Sequence, residues 1–171
     1  MDPQIFNRNR LAELEELLAL EYEKLHEFEK EITLADGPGQ RIALRQRIKH
    51  ELTPRLRKLE QEYAYQLIAG SEGVRVPEDE AEALVVSLGS AVANAEANPP
   101  GNAPENMLKL LQEVKTKLAE PGRAAAAKLK VTLPIIPLLA SYEMELDTEG
   151  FVTQVWQRAR DFFKKLAHRP R

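Results

Sequence analysis

Leu11-Ala12-Glu13-Leu14-Glu15-Glu16-Leu17-Leu18-Ala19-Leu20-Glu21-Tyr22-Glu23-Lys24-Leu25-His26-Glu27-Phe28 decides the reading of this chain. Leu11, Leu14, Leu18, Tyr22, Leu25, Phe28 and then Ile32 recur at steps of three and four, which puts them on one stripe of a helix from about Asn7 to Leu34. Asp36-Gly37-Pro38-Gly39 breaks that helix with turn residues, and a second stripe follows: Leu44, Ile48, Leu52, Leu56, Leu59, Tyr63 and Leu67. So short a connection implies antiparallel neighbours.

The two stripes match in register. Pairing Leu11 with Leu67, Leu14 with Tyr63, Leu18 with Leu59, Tyr22 with Leu56, Leu25 with Leu52, Phe28 with Ile48 and Ile32 with Leu44 keeps the layers in step. The expectation for residues 1–70 is therefore an antiparallel coiled-coil helical hairpin. Its seam is Leu11, Leu14, Leu18, Tyr22, Leu25, Phe28, Ile48, Leu52, Leu56, Leu59 and Tyr63. Pro54 falls within the second stripe without changing its phase. It predicts either a kink near His50 to Pro54, where the ring displaces the carbonyl of residue 50, or a fresh helix start capped by Thr53.

Residues 71–171 read as a second, mainly helical module. Pro77-Glu78-Asp79-Glu80 opens a helix to about Glu96, and Asn98-Pro99-Pro100-Gly101-Asn102 stops it. Pro104 and Glu105 open another, ended by Pro121-Gly122, and a short helix follows near Ala124 to Lys130. Val131 to Leu139 contains Pro134 and Pro137, and Tyr142, Met144 and Leu146 alternate with Glu143, Glu145 and Asp147. Period two predicts one short extended or strand segment there. A final helix from near Thr148 to His168 carries Trp156, Phe162 and Phe163 on one side and Arg158, Arg160, Lys164, Lys165, Arg169 and Arg171 on the other.

Charge is unevenly spread over the 171 residues. The formal net charge is −3, yet residues 1–70 hold 11 basic against 13 acidic side chains, 71–150 hold 7 against 13, and 151–171 hold 6 against 1. Residues 7–35 are acidic and 40–69 basic, as expected of segments that pack on each other. The chain has no Cys, which excludes disulfides, Cys-ligated metals and thiol nucleophiles and fits a cytoplasmic protein. No signal peptide is visible after Met1-Asp2-Pro3-Gln4, and the apolar run 131–140 is too short for a bilayer, which takes about 20 residues.

Chemistry is sparse. Three His and four Ser offer few combinations for a catalytic triad, none in a nucleophile turn, and no Gly-rich phosphate loop occurs. The register brings His26 level with His50 among Glu23, Glu27 and Glu51, a zinc-type donor set whose plain alternative is two half-exposed residues flanking the seam. An enzyme accessory subunit with a metal there is thus one reading, but no cofactor and no catalytic residue is expected. The final helix has two readings: packing of its apolar face with a solvated basic side, or docking of Trp156, Arg158, Arg160, Lys164, Lys165 and Arg169 on an anionic membrane or an acidic partner. The basic residues form no continuous stripe, so nucleic acid is not an expected partner.

Leu17-Leu18-Ala19-Leu20-Glu21-Tyr22-Glu23-Lys24-Leu25 and Pro38-Gly39-Gln40-Arg41-Ile42-Ala43-Leu44-Arg45-Gln46-Arg47-Ile48 together resemble the helical hairpins that accompany effector domains in bacterial STAND-type NTPase, TIR and caspase-like conflict proteins. Ala126-Ala127-Lys128-Leu129-Lys130, Leu133-Pro134-Ile135-Ile136-Pro137 and Ser141-Tyr142-Glu143-Met144-Glu145-Leu146-Asp147 are similar to a C-terminal element of the same setting. The chain carries none of the NTPase, TIR or protease domains themselves. The resemblance therefore implies a freestanding, non-enzymatic adaptor in bacterial signalling or antiviral defence, with protein partners of the same system and self-association. A membrane-peripheral protein is the alternative.

Overall fold

The computed structural model describes residues 2–99, 101–146 and 150–169. These are mainly helical, in the order α1 (Pro3–Leu34), α2 (Pro38–Arg47), a π-helical turn (Ile48–Leu52), α3 (Thr53–Ser71), α4 (Glu78–Ala97), α5 (Glu105–Leu118), α6 (Ala125–Thr132), α7 (Ile136–Glu145) and α8 (Phe151–Ala167). Asp2 caps α1, its Oδ1 accepting from the Gln4 amide at 2.9 Å, and Pro3 occupies the first turn, where a missing N–H is harmless.

α1 lies against α3, and the polar pairs between them run antiparallel. Asn7 Nδ2 donates to the Gln66 carbonyl and to Gln66 Oε1, Arg10 Nη2 to Glu62 Oε1 at 2.6 Å, the Tyr63 hydroxyl to Glu15 Oε1 and the Tyr22 hydroxyl to Glu60 Oε1, both at 2.7 Å. Between these pairs Leu11, Leu14, Leu18, Leu25, Leu56, Tyr63 and Leu67 are buried. Each large apolar side chain so placed stabilises the fold by about 1.5–3 kcal/mol before ordering costs. Phe28, Ile48 and Leu59 are only half-buried, Leu52 is buried, and Tyr22 turns its ring to the surface while its hydroxyl reaches Glu60.

Pro54 falls in the first turn of α3, whose N-cap is Leu52 and not Thr53. The Thr53 amide reaches back five residues to the Ile48 carbonyl, and the chain widens into a π-turn just before the proline. The wider turn keeps helical continuity where the ring of Pro54 would clash with the carbonyl four residues earlier. Leu56 and Tyr63 thereby stay in phase with α1.

No strand occurs among the described residues, which corrects the expected extended segment. Pro134 falls in the turn between α6 and α7, and Pro137 stands in the first turn of α7, where it removes no needed donor. The alternation of residues 142–146 is helical: Glu143 is buried, whereas Met144 is exposed. Glu143 accepts from the Val152 amide at 2.9 Å, the Thr153 amide at 2.7 Å and the Thr153 hydroxyl at 2.9 Å, so an acid occupies an inward position to cap α8. Asp147, the expected helix start at Thr148, and Arg171 lie outside the described residues.

α8 packs into the middle of the second half of the chain. It contacts α3, α4 and α7, and α4 also contacts α5 and α6. One hydrophobic core joins Leu14 and Leu67 to Leu88, Val114, Leu129, Ile136, Trp156 and Phe163, crossing the boundary expected at residue 70. Among the described residues no single helix is long and apolar enough to cross a membrane. The two apolar helices α6 and α7 meet at 55° and bury Leu129, Leu133, Ile136 and Leu139 in this core.

Candidate functional site

Two surfaces stand out. The first is a cleft of about 610 Å³ between α3, α7 and α8, closed on one side by Tyr22 of α1. Glu60 sits here because α3 turns it away from solvent toward α8, and it is only 4% exposed. Its Oε1 accepts from Tyr22; its Oε2 has no hydrogen-bond partner. Trp156 of α8, 3% exposed, approaches the same carboxyl with its indole Nε1–H.

Electrostatics follow from burial. Loss of water pushes the Glu60 carboxyl above its ordinary 4.5, against the Tyr22 hydroxyl, the Arg160 charge and the Trp156 indole, which pull it down. Burial, reinforced by the Glu60 charge and hydrogen bond, pushes the Tyr22 hydroxyl far up, so it stays a proton donor. Arg57 on the rim is fully engaged. Its Nε donates to Ser141 Oγ and its Nη2 to Glu145 Oε2, both at 2.7 Å, and its guanidinium lies 4.2 Å over the Tyr142 ring. Arg160 is freer, with an ion pair to Asp161 at 3.9 Å.

The second surface is the outer side of α1. Phe6, Leu17 and Leu20 share one outward stripe and are all exposed, Leu20 by 55%, among exposed Glu13, Glu16 and Glu23. α2 is the opposite in charge: Arg41, Arg45 and Arg47 are exposed around an exposed Ile42.

The residues expected to meet a membrane or an acidic partner divide. Trp156 is in the core, so it is not available to a bilayer, and the apolar face of α8 is occupied by α3, α4 and α7. The amphipathic signal was real, but the chain's own core satisfies it. Lys164 donates an ion pair to Glu15 at 2.9 Å, Arg158 donates to Ser87 Oγ at 3.1 Å, and Arg160 turns toward Glu60; Lys165 and Arg169 are exposed. His26 lies on the surface 3.9 Å from Glu29, and His50 pairs with Gln46 at 2.9 Å. Among the described residues no group of three His, Asp or Glu side chains is arranged to hold a metal ion.

Sequence reasoning missed Glu60, which reads as one of many solvated acids between the seam positions Leu59 and Tyr63. Only the seating of α8 reveals its burial. No protein-family model, curated protein or solved structure matches the chain.

Proposed function

We propose that this chain is a non-enzymatic adaptor of the bacterial cytoplasm that assembles protein partners of a signalling or antiviral defence system, and that it does so through the outer face of α1. α1 to α3 form, on this reading, an antiparallel coiled-coil hairpin whose inner seam is structural and whose outer side is the contact surface. The observation that carries the reading is the exposed stripe Phe6, Leu17 and Leu20 on a helix otherwise dominated by charge. Apolar side chains grouped on one outward line favour contact with another protein.

A second copy of the chain is the partner this surface fits. The acidic residues beside the stripe, Glu13, Glu16 and Glu23, complement the exposed Arg41, Arg45 and Arg47 that surround Ile42 on α2. Light scattering of the purified chain, alone and with proteins encoded beside its gene, tests this. A discrete oligomer or complex is expected, weakened by roughly tenfold or more in Leu17→Glu plus Leu20→Glu with the helical circular dichroism unchanged. A strict monomer that binds none of those proteins refutes the reading.

A further inference from the structure

The outer stripe of α1 is longer than its apolar members. From Arg10 through Glu13, Leu17, Leu20 and Lys24 to Glu27 the steps alternate between three and four residues, so these side chains form a second line along α1 beside the inner seam. One further step of four reaches Phe6 at one end and Glu31 at the other. Leu17 and Leu20 stand at the middle of the line, 41% and 55% exposed. A repeat of this kind is the pattern by which one helix packs along another, yet every member is exposed apart from the half-buried Arg10.

The charges on this line complement themselves only when one copy is reversed. Aligned parallel, two copies of α1 set Arg10, Glu13, Lys24 and Glu27 each against its own twin, so like charges meet at every one of these layers. Aligned antiparallel about a point midway between Leu17 and Leu20, each Leu17 meets the other copy's Leu20, Glu13 meets Lys24, Arg10 meets Glu27, and Phe6 meets Glu31 at the ends. A slip of one heptad in one direction sets Leu17 against Glu13 and Leu20 against Arg10; in the other it sets them against Glu27 and Lys24. We propose that α1 pairs with the α1 of a second copy in this antiparallel register, forming a two-fold dimer with Leu17 and Leu20 of both copies at its centre. The pairing rests on the outer face of α1 being the chain's contact surface, and it makes that contact close on itself rather than grow head to tail.

The groups at the central layers are available. The Glu13 side chain is 63% exposed and gives only one oxygen, Oε2, to Arg10, at 3.0 Å. Lys24 is 51% exposed and holds Glu21 at 3.3 Å, which leaves two of the three N–H groups of its ammonium for a second acid. Arg10 is already shared between Glu13 and Glu62, so its attraction to Glu27 comes without a new hydrogen bond. Symmetry makes each contact occur twice. α2 is tied to the last turns of its own α1, Arg41 donating to the Ala35 carbonyl and Arg47 lying over the Phe28 ring, so in the dimer its cations come level with the N-terminal half of the other α1.

Charge exchange in the full-length chain tests the register. Glu13→Lys places two cations opposite each other and Lys24→Glu two acids, so each variant alone is expected to dimerise about tenfold more weakly or worse in analytical ultracentrifugation. Mixing the two variants restores opposite charges at both layers and should return the affinity to within about threefold of the original. Both positions are exposed, and an unchanged circular dichroism spectrum checks the fold. Because the chain has no Cys, Glu13→Cys plus Lys24→Cys gives a second measurement: mild oxidation should yield a covalent dimer of the double variant and of neither single variant. In this register the two copies of position 13 stand about 16 Å apart along the pair, as do those of position 24, beyond the reach of a disulfide. A strict monomer overturns the pairing, as does a mixture that fails to recover. Weakening by Glu13→Lys with Lys24→Glu without effect also overturns it, since that is the pattern of a contact between α1 and the partner's α2. A covalent dimer of either single variant overturns it in favour of a parallel alignment. The adaptor reading fails separately, only if the monomer also binds none of the proteins encoded beside its gene.

Discussion

Gly70→Ala sets two effects against each other, and the structure decides between them. Alanine is the better helix residue, and at an unconstrained position near the end of α3 the exchange would stabilise by up to about 1 kcal/mol. A Cβ built at Gly70, however, falls 2.5 Å from Asn7 Oδ1 and 2.9 Å from the Cβ of Ala167. Ala167 has no flexible side chain to withdraw, so α8 itself must move. Asn7 is buried and held by its two hydrogen bonds to Gln66, at 2.9 and 2.8 Å, each worth about 1 kcal/mol. Overpacking of this kind costs about 1–3 kcal/mol, and loosening Asn7 adds to it, so the net change is a destabilisation of about 1–3 kcal/mol. Urea unfolding followed by circular dichroism reads it as a midpoint lowered by roughly 1 M. Adding Ala167→Gly should recover part of the loss, giving a coupling energy of about 0.5 kcal/mol or more in the double-mutant cycle. An unchanged or raised midpoint in Gly70→Ala, or no coupling, refutes the reasoning that α1, α3 and α8 meet here at closest approach.

Glu143→Ala should destabilise by about 1–3 kcal/mol, because it removes the acceptor of the Val152 and Thr153 amides, and hydrogen exchange should speed up first in the opening turn of α8. For Glu60, whose native carboxyl is raised by burial, the stabilising contribution is present below 4.5 and is lost as pH rises through the native value; Glu60→Met should flatten that part of the stability profile. Glu15 has the opposite sign. Burial pushes it up, but hydrogen bonds from Lys164 and Tyr63 and the Lys164 charge outweigh burial and hold it below 4.5, so its contribution is present above 4.5 and disappears as pH falls through the lowered value. Thermal unfolding between about pH 3 and 8 checks both, and an acid limb unaltered by Lys164→Met would contradict the Glu15 assignment.

Much of the α1 and α3 pattern was legible because a long, nearly uninterrupted stripe leaves one way to bury Leu11, Leu14, Leu18, Leu56 and Leu67. The helices of the second half were legible where Pro77 and Pro104 mark their starts. The stretch around Pro134 and Pro137 was not, since a proline in the first turn of a helix looks in sequence like a proline that forbids one. Glu143 misled for a related reason: a charge is read as facing water, and here it faces the amide ends of another helix. Trp156 and Glu60 depend on contacts between segments about a hundred residues apart, which no local pattern encodes. The α1 stripe of Phe6, Leu17 and Leu20 was hidden because in sequence it merges with the stronger inner stripe.

The π-turn at Ile48–Leu52 makes the length of the chain at that point a structural variable. Each residue advances an α-helix by about 100°, so straightening the turn into regular α-helix with its residues all kept would rotate everything downstream by about that angle. Tyr63 and Leu67 would swing off α1, and Glu60 would leave Tyr22 and Trp156. The π-turn thus works as a phase adjuster: it absorbs one residue and delivers the α3 pattern to the correct side. A sequence with one residue fewer between Leu44 and Leu56 would reach the same phase through an uninterrupted α-helix.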